Sequence, residues 1–275
     1  LILLFMGLYL LKKGPLPFDE KALGKDGGKY VETDDSRKVE YFVFGNLEPE
    51  SKVIICIHGS GPEAVSEIDF NEKCCIELGL KGIAISMPGY GYTDMKPGRQ
   101  AIDWPKEDLA AVLKKEEVDK FMIMGHSQGT VHAMAAAYYY PERCEGFGLN
   151  APLLPSKVSK EEGIVSAVGS DSLPNTATIQ KFYMAWYFAV MHLMLVKMSP
   201  WLPLKAMKMA STTVTFKIMR DTLKRAVIRG SVGGTYETAH DVCYDWGFDP
   251  RNIKNGNICI WHASDDNLCP PEIGK

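Results

Sequence analysis

A chain of 275 residues can bury about three quarters of the surface its unfolded form exposes, enough for one large α/β domain with an insertion. Its 34 acidic and 31 basic residues leave a net charge of −3, which argues against nucleic acid as a partner. Seven cysteines, an odd number without C-x-x-C or Cys/His spacing, argue against a disulfide framework and a zinc site and read as reduced, buried thiols.

The chain opens on an apolar run, residues 1–11, followed by Lys12 and Lys13. A bilayer span takes roughly 20 residues, so this run is too short to cross one. It can be the tail of a longer anchor, the apolar part of a signal peptide, or a helix packed on the domain. The first of these would give membrane association through residues 1–11, and the lysine pair then favours a cytoplasmic loop after it. A polar linker, residues 14–28, follows, and residues 1–28 form the first segment.

Residues 30–33 and 39–44, rich in β-branched and aromatic side chains, predict an antiparallel edge pair. Residues 53–57, Val-Ile-Ile-Cys-Ile, predict a buried strand ending in His58-Gly59-Ser60-Gly61-Pro62. A glycine-rich turn just past a buried strand turns backbone N–H groups toward a cavity, where that of Ser60 can bind a negative oxygen. An amphipathic helix over 68–78, a parallel strand over 82–87 closed by Pro88-Gly89-Tyr90-Gly91-Tyr92, and a helix over 104–115 come next.

Residues 121–124 are four apolar residues that ask for a strand buried on both faces, and they run into Gly125-His126-Ser127-Gln128-Gly129. Gly-x-Ser-x-Gly lets the chain reverse into a helix so tightly that the serine stands at the apex in strained backbone. Side chains at Gly125 or Gly129 would collide with the neighbouring strand or helix. The alanine-rich helix over 128–140 can lie close to the sheet and aim its N-terminal N–H groups at Ser127. The plainer reading of the same five residues is a strand-to-helix turn without chemistry.

A short strand over 146–150 ends in Asn150. Strands alternating with helices make a parallel sheet, and ligands of such sheets sit at the strands' carboxyl ends, where His58, Ser127 and Asn150 all fall. From 155 to 250 the pattern changes: residues 182–196 are apolar all round, and seven of the thirteen methionines lie between Met184 and Met219. Fifteen residues are short for a membrane span, so this reads as a helical cap whose methionine and aromatic side chains either line an adaptable pocket or form the cap's own core. Residues 258–261, Ile-Cys-Ile-Trp, predict a buried strand leading into His262-Ala263-Ser264-Asp265-Asp266. The adjacent carboxylates can cap the next helix or orient a histidine.

His-Gly after one strand, Pro-Gly-x-Gly after the next, Gly-His-Ser-Gln-Gly after the third, a helical insertion, then a strand ending in Asp-x-x-x-Pro: this succession resembles the α/β-hydrolase family, and within it the cap-bearing serine hydrolases, over residues 39–275. The resemblance implies an α/β fold with a mostly parallel sheet, helices on both faces and an inserted cap. It divides the chain at 29–154 for the first part of the core, 155–250 for the cap and 251–275 for the second part of the core. Ser127 would be the nucleophile, the N–H groups of Gln128 and Ser60 the oxyanion hole, and Asp266 the acid, with Asp265 second to it. His58, Gly59, His126 and Asn150 would line the substrate pocket. No metal or organic cofactor is implied, and the partner would be a small acyl substrate, with a carboxylic ester leading.

The family orders its triad serine, acid, histidine, yet no histidine follows Asp266 among His58, His126, His132, His192, His240 and His262. That order leads us to expect a longer protein, with a last strand, a helix and the catalytic histidine beyond Lys275. A noncatalytic binding protein on the same fold, an acyltransferase, and a base supplied by His240 are the alternatives. Ser86 and Thr93 stand where relatives commonly carry Asp and Ser, and Ala263 replaces a usual glycine.

Overall fold

The computed structural model describes residues 5, 17–164, 225, 246–266 and 269–275. Seven strands, β1 (Lys29–Glu32), β2 (Lys38–Gly45), β3 (Lys52–Ile57), β4 (Leu80–Ile85), β5 (Phe121–His126), β6 (Cys144–Asn150) and β7 (Ile258–Trp261), form one sheet in the order β1-β2-β4-β3-β5-β6-β7. The β1–β2 and β2–β4 pairs are antiparallel and all others parallel, so the antiparallel edge pair and the parallel body stand as the sequence predicts.

Period-two alternation splits the core in two. On one face Val53, Ile55, Ile57, Ile83, Ile85, Phe121, Ile123, Phe147 and Leu149 pack with Leu109, Val112 and Val131 of the helices described next. One of these begins as a π-turn, Pro105–Leu109, and continues as α3 (Ala110–Lys115); the other is α4 (Gly129–Tyr139). Ala133, Ala135, Ala136 and Ala137 are all fully buried, so α4 lies as close to the sheet as its composition suggests. On the opposite face Phe42, Phe44, Cys56 and Ala84 pack with Leu23 of α1 (Glu20–Lys25) and Cys75 of α2 (Val65–Glu77). A further short helix, α5 (Ser156–Glu161), follows β6.

Buried ion pairing ties the edge hairpin to the π-turn. Arg37, in the β1–β2 connection, donates from both terminal nitrogens to the buried Asp108, at 3.1 and 2.9 Å, and also pairs with Glu107 at 3.0 Å. Removing one partner of such a buried pair would leave the other charge unsolvated.

Four sequence expectations change. The linker over 14–28 holds α1, which Asp19 caps by accepting from the Ala22 N–H at 3.0 Å, and whose Leu23 is buried. The methionines of β5, Met122 and Met124, are only half-buried, because α4 covers just one face of that strand. Strand β7 forms where expected but is exposed along its whole length, with Trp261 at 76%. Cys74 and Cys259 are correspondingly exposed, whereas Cys56, Cys75, Cys144 and Cys269 are buried free thiols.

The expected cap lies almost wholly outside the described residues, as does the apolar run apart from Phe5, and so do His192, His240 and Cys243. Among the described residues no helix is long and apolar enough to cross a membrane.

Candidate active site

Ser127 sits between β5 and α4 at φ +50°, in the left-handed region that a side chain rarely adopts. The strain is held from both sides. The Ser127 N–H donates to the Asn150 carbonyl at 2.8 Å, while the Ser127 carbonyl accepts from the N–H and Oγ1 of Thr130 at 3.0 and 2.5 Å. Thr130 Oγ1 in turn accepts from the Leu153 N–H at 3.2 Å, fastening the chain that leaves β6. The flanking glycines are steric necessities. A Cβ on Gly125 would lie 2.6 Å from Thr130 N, and one on Gly129 would lie 2.6 Å from the His58 carbonyl.

The loop after β3 is pressed against this elbow because β3 and β5 are neighbours, with Ile57 opposite Gly125. A Cβ on Gly59 would meet the Ser127 Cβ at 3.3 Å and His126 Nδ1 at 3.0 Å, so glycine there lets the loop touch the serine. Ser60 Oγ then donates to Oε1 of the buried Gln128, joining the residues on either side of the apex.

His58 holds the loop from below. The Met87 N–H donates to its Nε2 at 3.0 Å, so the proton resides on Nδ1, which donates to the Gly59 carbonyl at 2.8 Å. Burial drives its pKa down to about 4, against the pull of the Gly59 carbonyl. The ring is fully buried and packs edge-on to Tyr90, 4.7 Å between centroids. It therefore shapes the loop rather than presenting a surface to a pocket.

Sequence reading missed the carboxylate at the next turn. Glu40, fully buried on β2, accepts from Ser86 Oγ at 2.7 Å and from the Tyr92 N–H at 3.1 Å, while Ser86 Oγ accepts from the Ala64 N–H at 3.2 Å. Serine at 86 is thus matched by an acid from the adjacent strand, and a Cβ on Gly91 would lie 2.9 Å from Glu40 Oε2. Thr93 joins the same set, its Oγ1 donating to the Ser86 carbonyl at 3.0 Å and accepting from the Glu40 N–H at 2.9 Å. Also unforeseen is His132, fully buried one turn into α4, edge-on to Trp104 and 3.4 Å from an Arg99 nitrogen. Burial and then the Arg99 charge hold its pKa well below the usual value, so it is neutral.

On the other side of Ser127 the register His126–Asn150–Trp261 aligns the ends of β5, β6 and β7. Asp266 lies five residues past Trp261. Its Oδ1 accepts from the Cys269 N–H at 2.9 Å, the capping role that adjacent carboxylates in a turn suggest. It is also close enough to act on His126: loss of hydration lowers the pKa of that histidine and the Asp266 carboxylate opposes the shift, while the residue as a whole stays exposed. His262 Nε2 lies 3.8 Å from Asp266 Oδ2 but donates to the Cys269 carbonyl. Asp265 is exposed. Among the described residues no histidine bridges Ser127 and Asp266, and no cluster of side chains could hold a metal ion.

A strained serine at a strand-to-helix apex, flanked by two glycines that admit no side chain, at the carboxyl end of a mostly parallel sheet, defines a class. The sequence profile of the alpha/beta hydrolase fold matches residues 52–274, and the chain belongs to that family. It is similar to a 2-hydroxy-6-oxononadienedioate/2-hydroxy-6-oxononatrienedioate hydrolase of Pseudomonas putida, 26% identical over 123 residues, which cover 43% of each chain. The Escherichia coli O139:H28 hydrolase of the same name is 24% identical over 119 residues, 42% of this chain and 41% of that one. The match thus spans about two fifths of these relatives' length. Among solved structures, the esterase EaEST from Exiguobacterium antarcticum superposes with a TM-score of 0.65 at 15% identity, over 90% of this chain and 85% of that one. The enol-lactonase of Burkholderia xenovorans LB400 does so with 0.62 at 15% identity, over the same shares.

Proposed function

We propose that this protein is a serine hydrolase that cleaves a carboxylic ester, or a related acyl compound with an apolar group, through an acyl-enzyme on Ser127. Ser127 Oγ forms a bond to the carbonyl carbon as its proton passes to a histidine oriented by Asp266. The carbonyl oxygen takes up the electron pair and is held by the N–H groups of Ser60 and Gln128. Collapse of this intermediate breaks the bond to the alcohol, which leaves with the proton, and water then releases the acid by the same steps. Gly59, His126 and Asn150 stand around the reacting carbon as the pocket wall. No metal or organic cofactor enters the reaction.

The observation that carries this reading is the backbone of Ser127, at φ +50° and pinned at both its N–H and its carbonyl. Ser36, Glu117 and Ala151 also have left-handed backbone, and Ser127 differs from them in standing at the carboxyl end of β5, with a glycine that admits no side chain two residues to either side and α4 opening behind it. Relatives and neighbours named as hydrolases and esterases support the same class. Turnover of p-nitrophenyl esters of graded acyl length by the full-length protein tests it. The reading expects hydrolysis that rises with apolar chain length and is lost in Ser127→Ala.

A noncatalytic binding protein on the same fold is the second reading, favoured by the lack of a described histidine between Ser127 and Asp266. It expects ester binding without turnover, unchanged in Ser127→Ala. An acyltransferase would instead yield a new ester when an alcohol is added.

A further inference from the structure

The two N–H groups assigned to the oxyanion come from segments 68 residues apart in the chain, the loop after β3 and the start of α4. Their spacing is set by whatever ties those segments together at the apex. One tie is steric, the bare Cα of Gly59 against Ser127 and His126. The other is a bond between side chains, from Ser60 Oγ to Gln128 Oε1. Gln128 is 2% exposed, and its Nε2 has no hydrogen-bond partner among the described residues. Ser60 by contrast is exposed. A buried carboxamide held by a single bond at one oxygen is an expensive arrangement for packing alone, since an apolar side chain of similar shape would leave nothing unpaired.

We propose that the Ser60 hydroxyl and the Gln128 carboxamide form a positioning latch that sets the separation and aim of the two oxyanion N–H donors. This rests on the acyl-transfer reading given above. The latch touches no substrate atom: it acts through the two backbones it joins. Its benefit falls on the transition state, because a ground-state carbonyl carries little of the charge that both donors must meet together.

The two side chains are therefore one unit, and a double-mutant cycle reads that directly. In the full-length protein, Ser60→Ala lowers kcat for a p-nitrophenyl ester about tenfold while KM stays within about twofold, a smaller loss than removing a donor outright. Gln128→Met, which keeps length and apolar volume but cannot accept, gives a similar loss from the other side. The double variant is no worse than either single one, and Ser60→Thr, which keeps the hydroxyl, recovers most of the rate. Melting temperatures are followed alongside, so that loss of fold is not read as loss of position.

An unchanged kcat in both single variants, additive losses in the double variant, or a loss that Ser60→Thr does not recover overturns the latch while leaving Ser127 as nucleophile. A wild-type protein that does not turn over esters at all, or does so equally well as Ser127→Ala, overturns the acyl-transfer reading and the latch with it.

Discussion

On one side of Ser127 the loop after β3 is held at three places: by neutral His58 below, by the Glu40–Ser86–Tyr92 set at the adjacent turn, and by the Ser60–Gln128 bond at the apex. On the other side Asp266 stands on a turn after β7, a strand exposed along its length at the end of the sheet. The proposed oxyanion side is tied into the core, and the proposed acid side follows a strand that is exposed along its length. Chemistry and stability should accordingly separate: damage to the buried supports of the first side costs both, and damage to the second side costs activity alone.

The largest expected effect is at Asp266. Asp266→Asn keeps an oxygen for the Cys269 N–H, so unfolding free energy should change by less than about 1 kcal/mol, while kcat falls by about 10⁴-fold through loss of the charge that orients a histidine. Comparable losses of activity and stability would merge the two sides and break the comparison. Next comes Gly129→Ala, whose methyl group would run into the backbone of Ile57 and His58. Denaturant titration should show a loss of about 3–5 kcal/mol together with loss of activity.

A pH series sharpens the contrast, because the fully buried histidines among the described residues, His58 and His132, lie on the first side. His58 has its folded pKa lowered from 6.5 to about 4, so its contribution to stability is complete above pH 6.5 and is lost as pH falls toward 4. The amount is about 3 kcal/mol at most. His132, also lowered, adds in the same direction. Buried Glu67, raised from 4.5 to about 7, opposes them, since its contribution is present below 4.5 and is lost as pH rises. Two histidines against one carboxyl give a net loss on acidification from pH 6.5 to 4.5, and His58→Asn should flatten that slope whatever it does to the absolute value.

The smallest effect is expected at Glu40→Gln. It retains one acceptor among Ser86 and Tyr92 but brings an extra buried donor, for a loss of about 1–3 kcal/mol.

The elbow was legible in the sequence because its constraints are local: glycines two residues either side of Ser127, an apolar run before and alanines after. So were the strands, whose composition announces them whatever surrounds them. Exposure was not legible. Ile-Cys-Ile-Trp reads the same whether it is buried or bare, and β7 shows that only the neighbours decide. The helix α1 was hidden in a polar linker, although Asp19 followed by Leu23 carries a cap and an anchor. The Glu40 and Ser60–Gln128 bonds join positions 46 and 68 residues apart, and no short pattern records such pairs.

The central claim is that Ser127 is an activated nucleophile facing two N–H donors, and an active-site-directed fluorophosphonate asks this of it with the fewest intermediates. After treatment of the full-length folded protein, peptide mass spectrometry should find one phosphonate adduct, on Ser127, absent in Ser127→Ala. A folded protein that leaves the Ser127 peptide unmodified would contradict the account.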